Sequence, residues 1–258
     1  MAESVGIVSL GCAKNQVDGE MMLATLEKAG WEVKDDAALA DVAIVNTCGF
    51  IQSAKQESID EILELARLKK EGQIKAIVVT GCLAERYRSE IMQQLPECDA
   101  VCGIGADADI NYICHAALAG AKPEAFPEKE KLPLCGERKL LTPSYFAYLK
   151  IAEGCDNRCS YCAIPLIRGG YRSRTMEDIE AEARSLVKNG AKELILIAQD
   201  TTKYGWDLYD HKLVLPELLR RLSKIDGLVW IRMLYCYPDY ITDELLDVMA
   251  AEPKVLPY

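Results

Sequence analysis

The sequence predicts an α/β protein: an N-terminal doubly wound parallel-sheet domain, followed by βα repeats that form a parallel barrel or part of one. Three observations carry this expectation. Short apolar runs of the buried-strand type alternate with helical segments through most of the chain. Three of those runs in the first half each end in a cysteine, at intervals suited to successive βαβ units. A charged, proline-rich stretch then separates the first half from a second set of βα repeats.

Taken in order, VGIVSL (5–10) reads as a strand and Asn15 to Ala29 as a helix with Met21, Met22, Leu23 and Leu26 among its apolar positions. WEV (31–33) is a short strand. DVAIVNT (41–47) is a continuous apolar strand, followed by a helix over Ser53 to Lys70 whose apolar face carries Ile59, Ile62, Leu63 and Ala66. IKAIVVT (74–80) repeats the pattern, with a helix from Leu83 to Leu95. A strand at AVCGI (100–104) and a helix from Asp107 to Ala119 complete a first domain over 1–120.

Residues 121–143 hold four prolines within "GAKPEAFPEKEKLPLCGERKLLTP" and little apolar periodicity, which predicts a linker with extended segments. The second domain, 144–258, opens with the strand YFAYLKI (145–151), which runs straight into a cysteine-rich loop. A helix over Met176 to Lys188, a strand ELILIAQ (193–199), a helix over Leu213 to Leu222, a strand LVWIRML (228–234) and a helix over Thr242 to Ala250 follow. Chemistry is expected at the carboxyl ends of these strands, where the cysteine loop sits.

Composition narrows the class. At 258 residues, half of them hydrophobic and 27% charged, the chain is long enough for two globular domains. The opening MAESVGIVSLGC lacks a basic segment and a long apolar stretch, and no apolar run approaches the ~18–20 residues of a membrane span, so a cytoplasmic protein is expected. In a reducing cytosol, 11 cysteines serve as metal ligands, catalytic groups or small buried hydrophobes rather than as a disulfide framework. A net charge of −10 argues against a broad nucleic-acid surface and favours a basic protein partner.

The loop "EGCDNRCSYCAIPLIRGGYRSR" (153–174) places Cys155, Cys159 and Cys162 with three and then two residues between them. Structural zinc takes four ligands, commonly as two spaced pairs, and three cysteines cannot pair off as disulfides. A [4Fe-4S] cluster fits best: three cysteines anchor three irons and leave the fourth open to a non-protein ligand. An open iron suggests chemistry rather than electron storage.

The strand-end cysteines raise a parallel case. Cys12 ends "SLGC", Cys48 lies in "NTCG" and Cys82 ends "TGC", 36 and 34 residues apart. Parallel strands present their carboxyl ends on one edge of the sheet, where ligands of open α/β sheets bind, so the three thiols should converge. A lone strand-end cysteine is usually a buried small hydrophobe. Three in register, beside Gly11, Gly49 and Gly81, point instead to a second three-cysteine cluster with an open iron.

The C-x3-C-x2-C loop, with Tyr161 before its last cysteine, resembles the signature of radical S-adenosylmethionine enzymes. With the three strand-end cysteines added, the chain is similar to the methylthiotransferases of that superfamily. "SLGCAKNQVDGE", "NTCGFIQSAKQESID" and "AYLKIAEGCDNRCSYCAIPLIRGGYRSR" resemble the RimO branch, which thiolates an aspartate of a small-subunit ribosomal protein. The tRNA-modifying MiaB branch tends to differ after the first and second cysteines.

The resemblance implies two [4Fe-4S] clusters and S-adenosyl-L-methionine as cofactors, with metal ligands Cys12, Cys48, Cys82, Cys155, Cys159 and Cys162. It implies that the cosubstrate chelates the open iron of the Cys155 loop cluster and yields a 5′-deoxyadenosyl radical, which abstracts hydrogen from the aspartate β-carbon. The cluster on Cys12, Cys48 and Cys82 is implied to hold the sulfur that is methylated and transferred. Partners implied are a basic small-subunit ribosomal protein and an electron donor such as flavodoxin or ferredoxin. Gln199 and Asp200, at the end of the second barrel strand, stand where the superfamily contacts the cosubstrate's amino group, or else cap the strand. Tyr161 packs beside the cluster or the adenine, or serves ordinary packing.

Family members continue through a (βα)6 radical SAM partial barrel and a small C-terminal β-barrel, the TRAM domain. This sequence ends in "KVLPY", where a fourth barrel strand would begin, so it is expected to hold the first half of the barrel and no TRAM domain. Two rival readings remain at this level: a tRNA methylthiotransferase, and an iron–sulfur protein without turnover. Arg168, Arg172 and Arg174 form a basic cluster that either meets a carboxylate or lies on a solvated loop. Cys98, Cys102, Cys114, Cys135 and Cys236 are assigned to packing.

Overall fold

Alternation along one strand sets the architecture of the first half. In β3 (Val42–Thr47) every residue is buried, with Val42 and Ile44 in one apolar cluster and Ala43 and Val45 in another, because successive side chains point to opposite faces. Both faces must therefore be covered by helices. The computed structural model, which describes residues 2–257, shows two compact units: residues up to Lys139 together with Ser160–Arg168, and Leu140–Cys159 together with Gly169 onward.

The first unit is a six-stranded parallel sheet built from β1 (Ser4–Ser9), β2 (Glu32–Val33), β3, β4 (Ala76–Gly81), β5 (Ala100–Cys102) and β6 (Glu124–Ala125), in the order β2-β1-β3-β4-β5-β6. One face packs against α1 (Ala13–Lys28) and α5 (Ile110–Leu118), through Met22, Leu26, Ile110 and Ile113. The other meets α2 (Gln52–Lys70), α3 (Cys82–Tyr87) and α4 (Ser89–Gln94), through Ile62, Leu65, Leu83 and Ile91. Each fully buried aliphatic side chain of this kind contributes about 1.5–3 kcal/mol. The direction of winding reverses between β1 and β3, which are neighbours in the sheet, and such a switch point opens a crevice at the carboxyl ends of the strands.

The second unit has three parallel strands, β7 (Phe146–Lys150), β10 (Glu193–Ile197) and β11 (Trp230–Met233), in the order β11-β10-β7. The helices α7 (Met176–Lys188), α8 (Leu215–Ser223) and α9 (Asp243–Ala251) follow them in turn. The core gathers Leu149, Ile179, Leu194, Leu196, Leu218 and Ile231. Helix α7 starts where the sequence places it because the Thr175 side chain accepts from the Asp178 N–H and two acidic residues occupy the first turn. Beside β11, a parallel bridge between Ile231 and Val255 begins a fourth strand position.

The structure corrects several expectations. The helix expected over 83–95 breaks at Arg88, whose φ of 45° ends α3; its guanidinium pairs with Glu85 and lies over the Phe126 ring. The stretch expected as a linker is largely fastened to the first unit: β6 extends the sheet beside β5, Arg138 pairs with Glu20, and Lys139 pairs with Glu27. A strand needs only two bridging residues to join a sheet edge, too short a run for periodicity to reveal. The antiparallel pair β8 (Ala152–Glu153) with β9 (Arg172–Ser173), and the short helix α6 (Ile164–Arg168), were likewise not foreseen. Among the described residues no helix is long and apolar enough to cross a membrane.

Candidate functional site

The ends of β1, β3 and β4 are brought level by the register of the sheet, with Ser9 opposite Asn46 and Thr47 opposite Gly81. The cysteines that follow each strand therefore emerge on one edge. Cys12 is the residue before α1, half-buried, and its carbonyl accepts the Gln16 N–H at 3.1 Å. A thiolate there lies at the positive end of the helix dipole. Cys48 is half-buried beyond β3 and its N–H donates to the Ser58 hydroxyl at 3.1 Å. Cys82 opens α3 and is 4% exposed.

Glycines hold these three segments together. A Cβ on Gly11, at φ +93°, would stand 2.8 Å from the Cβ of Cys48 and 3.1 Å from its Sγ. One on Gly49 would stand 2.8 Å from the carbonyl oxygen of Cys82. Gly81, at φ +89°, would press a Cβ to 2.5 Å from both the Thr47 carbonyl and the Asn46 Oδ1. Only glycine lets backbone approach so closely at a positive φ.

A buried polar hub that periodicity does not reveal ties together the segments next to the three cysteines. Asn15, fully buried, donates from Nδ2 to the Thr47 carbonyl at 2.7 Å and to the Leu10 carbonyl at 3.2 Å, satisfying two strand-end acceptors. Its Oδ1 accepts from Cys82 Sγ at 3.3 Å and from Arg168 Nη2 at 2.5 Å. Arg168, 1% exposed, also pairs with Asp18 at 3.0 Å and donates to Cys82 Sγ at 3.8 Å. Burial pushes the Cys82 thiol up to about 11, while the Arg168 guanidinium pulls in the opposite direction. An asparagine in the first turn of a buried helix was the available signal for this hub; nothing in the sequence distinguishes Arg168 from a surface arginine.

The basic cluster is thus not a solvated loop. Arg168 answers Asp18, and buried Arg174 answers Glu182 at 2.5 Å and the Lys150 carbonyl at 2.7 Å. The carboxylates these arginines meet belong to the chain itself.

In the second unit the neck of the cysteine loop is closed. Ala152 pairs with Ser173 and Glu153 with Arg172 across β8 and β9, and the Cys155 N–H donates to the Gly169 carbonyl at 3.1 Å. Gly154, at φ +76°, leaves no room for a side chain: its Cβ would fall 2.0 Å from the Gly170 carbonyl. Cys155 and Cys159 are half-buried there, and Cys162, in the Ser160–Arg168 segment of the first unit, is half-buried as well. Asn157, between the first two, donates to Asp200 Oδ2 at 3.0 Å, and Thr202 donates to Asp200 Oδ1 at 2.7 Å. Asp200 thus anchors the loop to the end of β10. Gln199 beside it has a buried Nε2 without a hydrogen-bond partner among the described residues. Tyr161 is 83% exposed, so ordinary packing does not account for it.

Among the described residues, no three His, Cys, Asp or Glu side chains are spaced to hold a single metal ion. A cubane makes a different demand, since each thiolate takes its own iron. One cysteine on each of three adjacent strand ends, with small residues between them, suits that larger group. Cys98, Cys102 and Cys114 are buried within the apolar clusters of the first unit, and burial drives Cys98 and Cys102 up to about 12 and Cys114 further still, as suits packing groups. Cys135 and Cys236 are exposed.

Each half of the chain matches a separate family model. Residues 4–103 match the model of the Uncharacterized protein family UPF0004, and residues 149–256 match that of the Radical SAM superfamily. The ribosomal protein uS12 methylthiotransferase RimO of Thermoanaerobacter sp. (strain X514) is 52% identical over 257 residues, covering 99% of this chain and 58% of that protein. The protein of the same name from Desulforamulus reducens is 52% identical over 258 residues, with the same coverage, and that of Clostridioides difficile (strain 630) is 50% identical over 259 residues. The chain spans 58% of the length of the first two of these curated relatives. Among solved structures, the radical S-adenosylmethionine methyltransferase TsrM from Kitasatospora setae, with cobalamin and a [4Fe-4S] cluster bound, superposes with a TM-score of 0.64 at 15% identity, covering 98% of this chain and 59% of that one. The cobalamin-dependent radical enzyme OxsB gives a TM-score of 0.59 at 12% identity, over 96% of this chain and 41% of that one. At these identities the likeness is one of fold. With both family models matched in this order, and about half its residues shared with RimO proteins along nearly its whole length, the chain is similar throughout to the RimO methylthiotransferases.

Proposed function

We propose that this chain carries the two cluster-binding regions of an enzyme that adds a methylthio group to the β-carbon of an aspartate in ribosomal protein uS12. The observation that carries the reading is the meeting of Cys12, Cys48 and Cys82 on one sheet edge, in a chain that has a separate C-x3-C-x2-C loop beyond a barrel strand. The RimO relatives are named as ribosomal protein uS12 methylthiotransferases.

In this reading Cys155, Cys159 and Cys162 hold one [4Fe-4S] cluster, and Cys12, Cys48 and Cys82 hold the other. When bound, the clusters and S-adenosyl-L-methionine supply reductive carbon–sulfur cleavage, hydrogen abstraction and sulfur donation. The residues of the chain position and shield. Gly154 and the β8–β9 pair fix the neck of the loop, and Asp200 steadies it through Asn157. The unpartnered Nε2 of Gln199 is free to bond the cosubstrate, and the exposed ring of Tyr161 is free to cover it. Gly11 keeps side-chain atoms away from the Cys48 sulfur, and Gly81 lets the end of β4 lie close against β3 so that Cys82 follows at the same edge. A basic ribosomal protein as substrate suits the net charge of −10, and a cytoplasmic location with a flavodoxin or ferredoxin as electron donor completes the proposal.

The test has two parts. The chain, reconstituted anaerobically and reduced, is expected to cleave S-adenosyl-L-methionine, and a Cys155→Ala, Cys159→Ala, Cys162→Ala variant is expected not to. Mass spectrometry of uS12 and of tRNA from a deletion strain complemented with the complete gene is expected to find the methylthio group restored on uS12. Its return on tRNA would overturn the substrate assignment, and an absence of cosubstrate cleavage in the complete protein would overturn the reaction.

A further inference from the structure

A guanidinium that is 1% exposed beside a thiol invites a physical account, because an arginine is rarely buried without a task for its charge. Asp18 at 3.0 Å offsets that charge, yet the same Nη2 also reaches Asn15 Oδ1 at 2.5 Å and Cys82 Sγ at 3.8 Å. Neither helix propensity nor packing requires this. Arg168 ends a five-residue helix, and its neighbour Ile167 already fills the apolar contact with Cys82 and Ile104. A methionine or leucine in place of Arg168, with an apolar partner for Asp18, would bury similar volume without the cost of desolvating two charges.

We propose that Arg168 is a positioning residue for the sulfur-donating centre, with its guanidinium oriented by Asp18 and Asn15 to donate to the sulfur of Cys82 and to raise the reduction potential of the group bound there. The inference rests on the reading of Cys12, Cys48 and Cys82 as cluster ligands. A thiolate ligand carries more negative charge when its cluster gains an electron, so a fixed positive charge and a hydrogen-bond donor at the sulfur favour the reduced form. Asp18 acts in the opposite sense: it holds the guanidinium in place and moderates its field. The pair therefore sets the potential from beyond the ligands themselves, on the sulfur of the most buried cysteine of the three.

The experiment uses the full chain with Cys155, Cys159 and Cys162 replaced by alanine, so that only the second cluster assembles. Iron content is measured first, then the midpoint potential, by titration with dithionite followed by electron paramagnetic resonance. In that background Arg168→Gln is expected to keep its iron and shift the midpoint negative. At a fixed potential the ratio of reduced to oxidised cluster should fall about tenfold, which corresponds to about 59 mV for one electron. Arg168→Lys, which keeps the charge, should shift it less. Asp18→Asn should shift it positive, and it decides the matter if Arg168→Gln fails to assemble. A parent protein without iron would overturn the reading of the three cysteines. A parent with its cluster intact, whose midpoint moves with neither Arg168→Gln nor Asp18→Asn, would overturn the role of Arg168 alone.

Discussion

The side-chain oxygen of Asn15 accepts a hydrogen bond from Cys82 Sγ at 3.3 Å, across 67 residues of sequence. Through its Nδ2 the same side chain ties the Leu10 and Thr47 carbonyls, so one residue links the segments that lead to Cys12, Cys48 and Cys82. Asn15→Ala would leave two strand-end carbonyls and a buried guanidinium short of a partner. The expected cost is about 2–3 kcal/mol in denaturant unfolding, with loss of iron from one cluster only. A variant of unchanged stability with full iron content would show that Asn15 is not the tie described.

The three strand-end cysteines should behave as a unit. Anaerobic reconstitution is expected to give about eight irons per chain, from two four-iron clusters. Any one of Cys12→Ala, Cys48→Ala or Cys82→Ala should lower this to about four, with the second and third replacements adding little. Independent core residues would instead lose stability in steps and leave iron content alone. Cys102→Ala serves as the control, since its thiol is buried among apolar neighbours and pushed up to about 12; iron content should not change.

Gly81→Ala tests the close approach of β4 to β3. The added Cβ would meet the Thr47 carbonyl and the Asn46 side chain at 2.5 Å, on a backbone with φ of +89°. Backbone must move to accept it, and Cys82 is the next residue. A loss of about 1–3 kcal/mol is expected, together with iron loss from the second cluster. Gly72→Ala, with a similar φ but open space around it, should cost less and keep all its iron.

Acid sensitivity should have a component at Asp41, far from the cysteines. Lys75 at 2.8 Å and the Ser4 N–H at 2.8 Å hold the Asp41 carboxyl down to about 2, from an ordinary 3.8. A folded-state value below the unfolded one means that the stabilisation is complete above about pH 4 and is lost as pH falls toward about 2. Asp41→Asn should therefore be less stable than the parent at pH 7, by about 1 kcal/mol given the exposure of Lys75, with the gap closing in acid. Urea unfolding at pH 7 and at low pH measures it; a gap that does not narrow would refute the assignment.

Much of the fold was legible because its signals are local. The wholly buried β3 reads as a continuous apolar run, and Thr175 with the acidic turn after it marks the first residue of α7. The strand ends were legible too, since a parallel sheet puts all its carboxyl ends on one edge whatever the details of packing. That is why Cys12, Cys48 and Cys82 could be grouped before any contact was known. The break at Arg88 and the short β6 were not, because each depends on what the segment meets: the Phe126 ring in one case and the edge of β5 in the other.

The sequence by itself determined the alternation of strands and helices, the spacing of the six cysteines and the resemblance they carry. Tertiary structure alone decided which polar groups stand behind them. Asn15, Asp18 and Arg168 all lie more than 60 residues from Cys82 in the sequence, and hydrogen bonding among such groups leaves no periodic trace in a chain. An arginine read from sequence belongs at the surface because burying its charge is costly. Only the folded chain, by bringing a carboxylate, an amide oxygen and a thiol to the same guanidinium, offsets that cost and places Arg168 inside.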